Sequence, residues 1–87
     1  EEKQGFLPLC PDFVVELRSR TDSLPKLEEK MQEYIENGTR LGWLIDPSSR
    51  TVRIYRPQLP VEIVNSPSQL SGEDVLLGFV LDGDRLW

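Results

Sequence analysis

The sequence predicts an α/β domain in which one helix lies on one face of a small mixed sheet, and three stretches carry that prediction. "FVVEL" at 13–17 is an apolar run broken only by Glu16, the pattern of a strand buried on both faces. "LPKLEEKMQEYIEN" at 24–37 repeats its apolar residues at helical spacing. "LGWLID" at 41–46 and "TVRIYR" at 51–56 flank the turn-forming "PSSR" and read as a hairpin. Strand, helix and strand in that order imply a right-handed crossover, which sets strands 13–18 and 41–46 parallel.

Each element has a local reason. Residues 1–12 lack clear periodicity and read as a loop or the tail of a helix leading into the first strand. "SRTDSLP" then forms a turn, with Asp22 or Ser23 as the helix N-cap and Pro25 tolerated in the first turn. Leu24, Leu27, Met31, Tyr34 and Ile35 make the apolar stripe of the helix, and Asn37-Gly38 supplies its stop. In "LGWLID" Leu41, Trp43 and Ile45 lie opposite Leu44, so both faces of that strand are expected to be buried. In "TVRIYR" Val52 and Ile54 point one way, and Thr51, Arg53 and Tyr55 the other. Pro57 and Pro60 end the hairpin, and "VEIV" at 61–64 adds a short edge strand. The remainder reads as loops with an apolar closing segment, in which Leu76, Leu77, Phe79, Val80 and Leu81 are expected to cover the core.

Composition narrows the function. Eighty-seven residues make one domain with a modest core, and 38% hydrophobic with 29% charged residues is ordinary for a globular protein. No apolar run approaches the roughly 18 residues of a membrane span. The single Cys10 cannot close an intrachain disulfide, which fits a cytoplasmic setting. Without histidine, Ser-His triads and Cys/His zinc sites are excluded within this chain. A net charge of −5 speaks against a broad basic groove for nucleic acid.

Two residues break the pattern. Glu16 sits inside an apolar strand, where an unpaired carboxylate costs several kcal/mol and is expected to be paired, solvated or metal-bound. Asp12, Val14, Glu16 and Arg18 share one face of the strand, so Arg18, about 6.6 Å along it, is one possible partner. Asp12 cannot share a metal with Glu16, because four residues of strand span roughly 13 Å. A second carboxylate would have to come from another strand. Lys30 is the other oddity. On a helical wheel with Leu27 at zero it falls near about −60°, beside an apolar stripe running from about −20° to 80°. It either snorkels beside the core with its head in water or directs its ammonium at the end of the sheet that carries Glu16.

"PDFVVELRSRTDSLPKLEEKMQEYIENGTRLGWLIDPSSRTVRIYRP", continued by "LSGEDVLLGFVLD", resembles the bacterial Uma family of restriction-endonuclease-like proteins, within the PD-(D/E)xK nuclease superfamily. The likeness runs from about residue 6 to 84. It implies a restriction-endonuclease-like core, a metal-dependent DNA endonuclease activity, and Mg²⁺ or Mn²⁺ as cofactor. It implies Glu16 as a catalytic metal ligand. The superfamily's lysine normally follows that glutamate by two residues, where Arg18 stands here, and the resemblance moves the lysine role to Lys30 on the helix. The remaining acidic residue belongs to a proline–aspartate motif upstream. The chain is therefore expected to be one domain over 1–87 that forms the C-terminal part of a nuclease domain, lacking its N-terminal elements. A strand that is apolar on both faces, with a neighbour on one side only, further predicts a homodimer joined through the vacant edge or through exchanged elements. The competing reading is a non-catalytic homo-oligomeric binding or assembly module on the same fold.

Overall fold

A computed structural model describes residues 11–87 of the chain. The readings of residues 1–10, Cys10 among them, lie outside the described residues. The elements are β1 (Phe13–Leu17), α1 (Leu24–Glu36), β2 (Leu41–Asp46), β3 (Thr51–Tyr55), β4 (Glu62–Asn65), β5 (Gln69–Ser71) and β6 (Val80–Asp82), then a 3₁₀ turn at Gly83–Arg85. The first four strands form one sheet in the order β1-β2-β3-β4, and β5 and β6 form a separate hairpin. β1 runs parallel to β2, while β2, β3 and β4 are mutually antiparallel. The α/β architecture expected from the strand–helix–strand order is thus present, with one helix on one face of a mixed sheet.

β2 is the middle of the molecule. All six of its residues are buried, because α1 covers one face and the β5–β6 hairpin with the C-terminus covers the other. Beneath the helix, Met31, Leu44 and Tyr55 form a core that Val14, Leu24, Leu27, Tyr34 and Ile35 complete. On the opposite face Leu41, Trp43, Ile45, Val52, Ile54 and Leu70 pack together, joined by Phe13, Val64, Val75, Leu81, Leu86 and Trp87. Phe13 meets Trp43 edge-on at 4.9 Å between ring centroids, a favoured aromatic geometry.

Two apolar stretches behave differently from their sequence pattern. β1 is not buried on both faces: Val14 packs under α1, but Val15 and Leu17 are 46% and 63% exposed. The hairpin layer covers the β2 and β3 side of that face and leaves these two side chains open. In the closing segment Val75, Leu81, Leu86 and Trp87 pack on the core, whereas Leu77 and Val80 point to solvent. Phe79 is also largely exposed, lying 6.4 Å from Trp43 in a stacked arrangement. The segment is a strand-paired hairpin (Gln69↔Asp82, Leu70↔Leu81, Ser71↔Val80), so alternate side chains must face away from the core.

The helix ends as its sequence suggests. Ser23 is the N-cap, and its Oγ accepts from the Lys26 N–H at 3.4 Å. Asp22 instead closes the preceding turn, accepting from the Ser19 N–H at 2.8 Å and the Ser19 hydroxyl at 2.9 Å. At the other end Gly38 takes φ +114°, which residues with a side chain rarely adopt. Replacing Ser23 by alanine is expected to cost about 0.5–1 kcal/mol of unfolding free energy in urea titrations. The same change at Asp22 should leave the helix cap intact, so far-ultraviolet helicity of that variant should match the parent.

Candidate functional site

Strand parity places Val14, Glu16 and Arg18 on the helix side of β1. Glu16 lies level with Leu44 of β2, which in turn faces Arg53 of β3. α1 crosses this row and ties down both ends of it. The Lys30 Nζ reaches the Glu16 Oε2 at 3.0 Å, and the Glu28 Oε2 reaches the Arg53 Nε at 3.1 Å. The two ion pairs have opposite polarity, so they are matched in only one orientation of the helix over the sheet. The Arg53 Nε is buried and its N–H is not well aligned with Glu28, so that contact is more coulombic than hydrogen-bonded.

Of the two readings of Lys30, the one that directs it at Glu16 is the observed contact. The ammonium is half exposed and the carboxylate 23% exposed, so the pair sits at the rim of the sheet within reach of solvent. The hydrogen bond to Glu16 raises the Lys30 pKa above its ordinary 10.5; partial burial works against the shift, and the charge of Glu16 adds to it. The contribution of the Lys30 charge is present at neutral pH and is lost as the pH rises through the raised value above 10.5.

Arg18 does not pair with Glu16, although they share a face. Its Nη1 donates to the Asp46 Oδ2 at 2.9 Å and its Nε to the Asp22 backbone carbonyl at 3.3 Å. Asp46 closes β2 with its side chain only 4% exposed, and its Oδ1 accepts from the Ser48 N–H at 3.2 Å and the Ser48 hydroxyl at 2.8 Å. Burial alone would raise the Asp46 pKa, but hydrogen bonds from Ser48, Arg18 and Ser49 outweigh it and hold the carboxyl below its ordinary 3.8. Sequence reading missed Asp46 because an aspartate before Pro-Ser-Ser passes for an ordinary turn residue. The available signal was its place as the last residue of a strand buried on both faces.

Asp12 pairs loosely with Arg40 at 3.8 Å, away from Glu16. Among the described residues no group of three or more His, Cys, Asp or Glu side chains could hold a metal ion. Glu16 therefore stands as a single carboxylate with a lysine beside it. No described helix is long and apolar enough to cross a membrane.

The comparisons bear on the family and the fold. In solved structures, the chain is similar to a "putative nuclease belonging to DUF820" from Anabaena variabilis, with a TM-score of 0.80 and 30% sequence identity. The match covers 90% of this chain and 44% of that one, so the present chain spans less than half the length of that neighbour. No curated protein matches the chain. The Uma2 family, described as "Putative restriction endonuclease", matches residues 1–83, and the chain belongs to that family. A nuclease-like function is thereby supported at the level of the family.

The lowered pKa of Asp46 sets an acid limit on stability. Its contribution is present above the unfolded value near 3.8 and is lost as the pH falls through the lower folded value. Asp46→Asn should lose about 1–3 kcal/mol at neutral pH, since it leaves the part-buried Arg18 without a charged partner. Urea titrations at stepped pH should show parent and variant converging in acid. Parallel curves throughout would mean that the charge on Asp46 contributes nothing.

Proposed function

We propose that the chain belongs to a metal-dependent DNA endonuclease of the cytoplasm, with Glu16 as a metal-binding carboxylate and Lys30 as its cationic partner. The observation that carries this reading is the Glu16–Lys30 contact, at 3.0 Å on a partly open rim of the sheet. Membership of the restriction-endonuclease family supplies the reaction class. The donor chemistry is compatible with Mg²⁺ or Mn²⁺, hard ions that take oxygen ligands and often keep several waters beside one or two protein carboxylates. Glu16 is one such ligand. A second carboxylate would come from outside the described residues, on a strand lying along the free edge of β1, which would make these residues the C-terminal part of the nuclease domain.

When bound, a divalent ion supplies phosphate polarisation and a lower pKa for coordinated water. The chain's own residues do the rest. Glu16, fixed by β1, presents an acceptor that orients water. Lys30, charged at neutral pH and anchored one residue from the buried Met31, can donate to a phosphate oxygen where negative charge grows. Hydrolysis adds water to phosphorus, breaks one P–O bond and leaves the departing oxygen protonated.

Plasmid cleavage by the full native chain with Mg²⁺ or Mn²⁺ tests the reading. Lys30→Ala should slow cleavage by about 10²–10³-fold, and Glu16→Ala should slow it at least as much, with melting curves confirming that both variants fold. Cleavage by Glu16→Ala at the parent rate would remove Glu16 from the chemistry. Absence of cleavage by the folded parent with either ion would favour the assembly-module reading.

The free edge of β1 supports a second proposal, a homodimer of the 87-residue form. Among the described residues β1 pairs only with β2, and an open strand edge is a template for another chain. An interface there, with Val15 and Leu17 beside it, should bury on the order of 1,200 Å² or more in total. Light scattering coupled to size exclusion should report about 20 kDa, twice the 10.0 kDa chain. A monomer persisting at high micromolar concentration would exclude the dimer.

A further inference from the structure

Beyond Glu16 the helix-side face of β1 continues into a cavity of about 510 Å³, lined by Arg18, Ser19, Arg20, Asp46, Pro47 and Ser48. It opens at the carboxyl ends of the parallel strands β1 and β2, the end of an open α/β sheet where ligands characteristically bind. Its one acidic side chain is already committed, Asp46 Oδ2 to Arg18 and Oδ1 to the Ser48 N–H and hydroxyl. Two guanidinium groups remain against that single carboxylate, so the lining is net cationic in a chain whose net charge is −5.

The two arginines are prepared differently. Arg18 is gripped on two sides, through Nη1 by Asp46 and through Nε by the Asp22 carbonyl, and is 27% exposed at its side chain. Its orientation is fixed before any ligand arrives, so little rotamer entropy remains to be lost on binding. Arg20 is exposed and has no side-chain partner among the described residues. A planar guanidinium fork suits phosphate oxygens better than a lysine does.

The geometry points to a phosphate-binding subsite here: Arg18 and Arg20 hold a backbone phosphate of the DNA strand about two nucleotides from the one presented to Glu16 and Lys30. Arg18 is two residues beyond Glu16, about 6.6 Å along the strand, and successive nucleotides of one DNA strand advance about 3.4 Å along the helix axis. A strand lying along β1 would therefore bring a phosphate about two nucleotides away over the cavity. Asp46 is the positioning residue that aims Arg18. The inference rests on the nuclease reading for the identity of its ligand, but its test does not depend on cleavage.

The test is metal-free binding of a fluorescein-labelled DNA duplex to the full native chain, followed by anisotropy over a range of salt concentrations in EDTA. Arg20→Gln, which breaks no contact seen in the fold, should lower the slope of log K against log salt by about 0.9, or roughly eightfold in affinity near 0.1 M salt. Arg18→Gln should act likewise, and Arg85→Gln, on the exposed 3₁₀ turn, should match the parent. Melting curves identify any variant that has lost its fold, and Arg20→Gln keeps the test decisive if Arg18→Gln has. Unchanged slope and affinity in Arg20→Gln would overturn the subsite, as would absence of duplex binding by the folded parent. No Glu16-dependent cleavage by the folded parent, with the salt slopes as expected, would refute the nuclease reading and leave the subsite standing.

Discussion

The packing of α1 on the sheet governs everything else, and Met31, seated over Gly42, is its centre. A Cβ at Gly42 would come within 2.7 Å of the Met31 Cε and 3.2 Å of the Val14 Cγ2. With only hydrogen there, Met31 sinks to full burial against Leu44 and Tyr55. Met31 is flanked in sequence by Lys30, so the depth of one side chain fixes the reach of the other. A helix held further out would leave the Lys30 ammonium short of Glu16 and the Glu28 carboxylate short of Arg53. The two rim contacts of α1 are consequences of a packing contact at its centre.

This order of causes also ranks the ion pairs. Rim pairs with half-exposed partners contribute little to stability, typically under about 1 kcal/mol, so Glu16–Lys30 is not what holds the helix down. Burial of Met31, Leu44 and Tyr55 does that. A glutamate inside an apolar strand, matched to a lysine whose contact adds little to the fold, is better explained by what the pair does to something else. Asp46 is the contrasting case. It is almost fully buried, its contacts with Arg18 and Ser48 are internal, and its removal strands an arginine. Both are carboxylates beside a cation, but one belongs to the architecture and the other faces solvent.

Much of the fold was legible because its strongest periodicities coincide with its most buried elements. The stripe from Leu24 to Ile35 gave α1 within one residue, and the two-sided apolarity of 41–46 gave β2 with its true bounds. The strand–helix–strand order gave the parallel pairing. The β5–β6 hairpin was not legible, since three-residue strands carry too few alternations to separate from a loop. β1 misled in a different way. Its side chains read as interior on both faces, yet sequence cannot say whether the element that covers a face lies within the described residues. Within the site, parity and the helical wheel placed Glu16 and Lys30 but left Lys30 two readings, and the family resemblance pointed it at Glu16. They were not enough to place Arg18, because its partner Asp46 is 28 residues away and reached only through the crossover.

The position of β1 at the margin of its sheet has a dynamic meaning. Strand amides exchange with solvent through local openings, and a strand with a neighbour on one side opens more readily than one clamped between two. Glu16 and Arg18 both ride on β1, so a single fluctuation that lifts this strand separates Glu16 from Lys30 and Arg18 from Asp46 together. Among the described residues the candidate chemistry is thus concentrated on an edge strand of the main sheet, while β2, beside it, carries almost none. Whatever binds across β1, whether nucleic acid, a metal ion or another strand, would close that opening by mass action, so occupancy of the site and rigidity of the edge are two readings of one equilibrium.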